Sequence, residues 1–74
     1  MAAALTWRMV DPGLYMAHPS YGHWSIELRR GRWYVGLRLL GKGMHEEQDF
    51  GSEPTRSKAQ AAVAKAHQAI SKLD

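Results

Sequence analysis

The residues in this 74-residue chain with the widest chemical reach are its arginines. Arg29, Arg30, Arg32 and Arg38 lie close together in the chain, interleaved with Ser25, Glu27 and Tyr34, and Lys42 extends the series. A guanidinium is a planar fork of donors that matches a guanine edge or a phosphate, and a tyrosine ring packs against sugar or base. Other chemistry lacks its partners. His18, His23, His45 and His67 show no recurrent metal-ligand spacing, and His45-Glu46-Glu47 lacks the second histidine of a zinc-protease helix. Surface positions are expected for all four. The stretch from Gly36 to Gly43 matches a phosphate-binding loop through Lys42, but Gly43 stands where serine or threonine should hold magnesium, and the parallel sheet that such a loop requires exceeds this chain. The expectation is a binding module and not an enzyme, with no catalytic residue, metal ligand or cofactor.

The elements that must position these side chains follow from hydrophobic period. His23 to Arg30 places Trp24, Ile26 and Leu28 on one face and Ser25, Glu27 and Arg29 on the other; Arg32 to Leu40 sets Trp33, Val35, Leu37 and Leu39 against Tyr34, Gly36 and Arg38. These are two amphipathic strands around Gly31. A two-residue loop of either Arg30-Gly31 or Gly31-Arg32 puts both apolar sets on the same side, whereas a one-residue slip mixes them. Leu5 to Val10 reads as a leading strand, Asp11-Pro12-Gly13 as a tight turn, and Leu14 to Ala17 as a short strand. Met44 to Phe50 could add an edge strand. From Pro54 the period changes: Ala59, Ala62, Val63, Ala66, Ala69, Ile70 and Leu73 form a helical stripe, with Thr55 or Ser57 as cap. The predicted fold is α+β, a single domain over residues 1–74. Three or four antiparallel strands within 5–50 pack on one C-terminal helix of about 55–73. The helix covers one sheet face and leaves the other, with its arginines, to solvent.

Charge gives that face a partner. Ten Lys and Arg oppose seven Asp and Glu, for a net charge of +3, and the sum hides three blocks. Residues 1–43 carry +4, residues 44–54 carry −4 and residues 55–74 carry +3. Positive charge on regular structure, with the acids in an expected loop, suits a polyanion. Two- and three-stranded ribbons fit the major groove of duplex DNA, and Gly36 would admit close backbone approach. Arg29 and Arg38 are the expected groove contacts, Tyr34 the packing residue, and Arg30, Arg32 and Lys42 the phosphate ligands. No cysteine, no charged leader and no run of about 18 apolar residues together predict a cytoplasmic protein without a membrane span.

The order Gly13-Leu14-Tyr15-Met16-Ala17, then Gly22-His23-Trp24-Ser25-Ile26-Glu27-Leu28-Arg29, then a strand, a phenylalanine and a threonine-led alanine helix carries a resemblance. It resembles the sheet-plus-helix DNA-binding domains at the amino end of tyrosine integrases and is similar to the plant ethylene-response-factor domain. In those families three strands enter the major groove with the helix behind. The resemblance therefore implies contacts by Tyr15, Ser25, Glu27 and Arg29, then by Tyr34 and Arg38, with double-stranded DNA as partner. The chain departs from that pattern in its leading strand and in the insert carrying Glu46, Glu47, Asp49 and Glu53, whose carboxylates would repel phosphate unless they point away. The final helix is also similar to that of the double-stranded RNA-binding domain, but residues 1–22, with Pro12, Gly13, Pro19 and Gly22, provide no counterpart to its first helix.

A second class of function is open. Trp7, Val10, Tyr15, Tyr21, Tyr34 and Leu40 offer more apolar surface than one helix can cover, which suits a protein partner or a homodimer. A small two-signed module of this kind also fits a phage-encoded or accessory regulator.

Overall fold

The computed structural model describes residues 5–40 and 47–72, so Lys42, His45 and Glu46 lie outside the described residues. Five strands, β1 (Arg8–Asp11), β2 (Leu14–Ala17), β3 (Gly22–Arg29), β4 (Arg32–Leu39) and β5 (Gln48–Glu53), precede a helix α1 (Arg56–Lys72). The strands form one antiparallel meander in chain order, and α1 packs across β3, β4 and β5. The fold is α+β. The sheet has one strand more than the three or four expected, because the acidic segment also pairs. Gln48 to Glu53 is exposed over most of its length, so as an edge strand it carries no apolar alternation by which to be recognised. Among the described residues no helix is long and apolar enough to cross a membrane.

The β3–β4 pairing joins Arg29 to Arg32 across an Arg30-Gly31 loop and keeps one register to Gly22–Leu39. Both loop residues have positive φ, 51° at Arg30 and 77° at Gly31, the signature of the mirror-image turn whose twist matches a right-twisted hairpin. Glycine takes this conformation freely. Arginine does so at a cost of roughly 1 kcal/mol or more.

The apolar faces of β3 and β4 make the core. Ala17, Trp24, Ile26, Val35 and Leu37 of the sheet are buried against Ala59 and Val63 of α1. Small residues on the helix let it settle onto the indole of Trp24, which is fully buried. Thr55 caps the helix: its hydroxyl accepts from the Lys58 amide at 3.2 Å, and its carbonyl accepts from Ala59 at 3.0 Å. The buried stripe of α1 is narrower than the alanine pattern predicts. Ala59, Val63 and His67 are buried at four-residue spacing, while Ala62 and Ala69 are exposed. Alanine occurs all round this helix and cannot by itself mark the inner side. His67 is inside, against the expected surface position, where it is paired with the half-buried Tyr21.

Candidate nucleic-acid interface

The second sheet face is set by register. Opposite the core, β3 presents His23, Ser25, Glu27 and Arg29, which pair with Arg38, Gly36, Tyr34 and Arg32 of β4. Leu14 and Met16 of β2 lie across from Glu27 and Ser25, and Asp49 of β5 lies across from Gly36. Twist and the absence of a covering helix leave a shallow depression of about 540 Å³ here, floored by Leu14, Met16 and Ser25 and rimmed by His18, His23, Glu27, Arg38 and Glu47.

Its electrostatics are mixed. The Arg29 guanidinium lies 3.3 Å from the Glu27 carboxylate and 4.5 Å above the centre of the Tyr34 ring. Arg38 reaches Glu47 at 3.6 Å. Arg32 donates from Nε to Ser52 Oγ at 2.9 Å and from Nη2 to the Ser52 carbonyl at 3.2 Å. Exposed ion pairs of this kind contribute about 0–1 kcal/mol, so they break readily, but each lowers the positive potential an approaching phosphate meets. Gly36 does leave a space, and it is filled: a Cβ there would collide with the Glu47 carboxylate. Glu47 and Asp49 of the acidic segment therefore lie on this face and do not point away from it, whereas Glu53 pairs with Trp33 of the core face.

Of the residues expected to form the site, Ser25, Glu27, Arg29, Arg32, Tyr34 and Arg38 share the uncovered face, and Arg30 occupies the hairpin turn. Lys42 lies outside the described residues. Tyr15 does not belong to this face. It pairs with Ile26, its ring lies 6.0 Å from that of Trp33, and it is covered from the helix side by Arg56, which sits 4.6 Å over the ring and donates to the Tyr15 hydroxyl. The four residues of β2 are apolar on both sides, so alternation could not assign its faces; only pairing with β3 does. Sequence reasoning also missed the placement of Glu47, Asp49 and Arg56. The position of Arg56, directly after the Thr55 cap, was the available signal for a first-turn cation beside the sheet.

The chain matches no protein-family model, no curated protein and no solved structure.

Proposed function

We propose that this chain is a small, non-enzymatic module that binds double-stranded DNA, with contact centred on the tip of the β3–β4 hairpin and not on the middle of the sheet. One observation carries the reading: residues 27–32 are all exposed, so the end of the hairpin, beyond the pairing of Glu27 with Leu14 of β2, presents Arg29, Arg30 and Arg32 at the surface. A ribbon of these dimensions enters a groove, and three guanidiniums within four positions supply phosphate and base-edge donors.

The turn supports this. Asparagine or glycine would fit the Arg30 position without strain, yet arginine holds it at positive φ, and local strain of this sort concentrates at functional positions. Arg30 has no hydrogen-bond or ion-pair partner among the described residues. Arg38, held by Glu47 over Gly36, is a secondary contact made after that pair opens.

The test is a fluorescence-anisotropy titration of labelled duplex DNA at low salt. Binding is expected to weaken as salt rises, with a log–log slope near −3 if three phosphates are neutralised at about −0.9 per contact. The Arg30→Ala, Arg32→Ala double variant should lose most of the affinity and flatten that slope. Absence of binding to duplex DNA at low salt rejects the proposal.

A separate observation favours the interface class. Strand β1 is a sheet edge with Met9 and Val10 exposed at 62% and 55%, an apolar edge of the kind natural proteins cover. On this reading the edge pairs with another strand, and the expected aromatic patch gives way to an aliphatic one. A concentration-dependent sedimentation mass that collapses to the monomer on Met9→Lys would support it.

A further inference from the structure

We propose that His18 and His23 form a divalent transition-metal site, selective for zinc and copper over calcium and magnesium. Ala17 pairs with Trp24 in the β2–β3 ladder, so the next position outward sets His18 against His23 across the mouth of the hairpin. Their Nδ1 atoms face each other at 2.5 Å, and the rings meet edge to face with centroids 4.6 Å apart. In the tautomer that leaves both Nδ1 atoms unprotonated, the two lone pairs point at one another and a metal ion between them can accept both; with one Nδ1 protonated the contact is an N–H···N bond that a metal displaces.

Metal–imidazole bonds of about 2.0–2.1 Å at a tetrahedral angle need the two nitrogens roughly 3.3 Å apart. The rings reach that separation by opening less than roughly 1 Å from where they stand, within the range of small side-chain rotations at a solvent-facing contact. Neutral imidazole suits zinc, copper and nickel and offers nothing to the hard cations, which prefer oxygen. The pair borders the open-face depression beside Met16 and Ser25. Among the described residues no third histidine, cysteine or carboxylate joins it, so water completes the coordination. Arg38, opposite His23, already has its charge directed to Glu47. Histidine spacing along the chain conceals this site, because the two residues face each other only through the strand pairing.

The experiment is titration of the tag-free protein with ZnCl₂ and, separately, CuCl₂, followed by calorimetry and by histidine side-chain NMR. One metal per chain is expected, bound more tightly for copper than for zinc, with the imidazole resonances of His18 and His23 shifting together. Loss of a direct ligand should cost at least the 10- to 100-fold typical of outer-sphere partners, so His18→Ala and His23→Ala should each weaken binding by about tenfold or more. Both side chains face solvent, and unchanged far-UV circular dichroism will show that the variants remain folded. Undiminished binding in the double variant overturns the proposal, as does a native protein that gives neither heat nor shifts with excess metal. DNA binding by the native protein is measured in parallel without added metal, which separates failure of this site from failure of the hairpin reading.

Discussion

The Tyr21 hydroxyl and the His67 imidazole meet at 2.7 Å, with their rings stacked at 27°, and so tie the β2–β3 connection to the fourth turn of the helix across 46 residues. Trp24 Nε1 donates to the same hydroxyl at 2.7 Å. An indole nitrogen only donates, so the Tyr21 hydroxyl accepts from Trp24, while the direction of its bond with His67 Nδ1 follows the imidazole tautomer. One hydroxyl thus satisfies polar atoms on both layers of the core.

Removing that hydroxyl should be costly. Tyr21→Phe leaves the buried Trp24 N–H without its acceptor, at roughly 1–3 kcal/mol for an unmet buried group. Urea denaturation should show a lower midpoint with little change in slope. A midpoint equal to that of the native protein would show the network to be energetically idle.

The same hydroxyl sets a pH dependence. Burial raises the Tyr21 phenol above its ordinary value, outweighing the hydrogen bond from Trp24, which lowers it. The unfolded chain then ionises first. The stabilisation is complete below the unfolded value of about 10 and is lost as pH rises through the higher folded value. Stability measured between about pH 9 and pH 11 should fall more steeply for the native protein than for Tyr21→Phe.

At the hairpin turn, stability and binding should move in opposite directions. Arg30→Asn places a residue that tolerates positive φ where arginine is strained, and should stabilise the fold by about 0.5–1 kcal/mol. It should also weaken duplex DNA binding. A higher Tm with unchanged DNA affinity would remove Arg30 from the proposed contact surface.

Glu47 makes the converse case. Glu47→Ala removes one exposed ion pair, which should change stability by no more than about 1 kcal/mol. It also frees Arg38 and clears the space over Gly36. Duplex affinity should rise severalfold at low salt and converge with that of the native protein at high salt. A decrease would mean that the open face has no part in binding phosphate.

The predictions rest unevenly on what the chain shows directly. Strands β3 and β4 were legible because each alternates cleanly over eight residues and a glycine separates them. That was enough to place Ser25, Glu27, Arg29, Tyr34 and Arg38 on one side. β5 was not legible in the same way, because an edge strand exposed on both sides has no apolar period, and its register with β4 shifts between Tyr34 and Gly36. Glu47 and Asp49, expected in a loop, therefore came to lie on the face that carries the arginines.

Local pattern determined the hairpin, the helix and the sidedness of the central strands, since periods of 2 and 3.6 are properties of neighbouring residues and need no partner. Tertiary structure alone decided the rest: Tyr15 on the helix side, Glu47 over Gly36, His18 against His23, and Tyr21 joined to His67. Each of these depends on how separate segments align, and that alignment is chosen by burying Trp24, Ile26 and Leu37 together beneath α1.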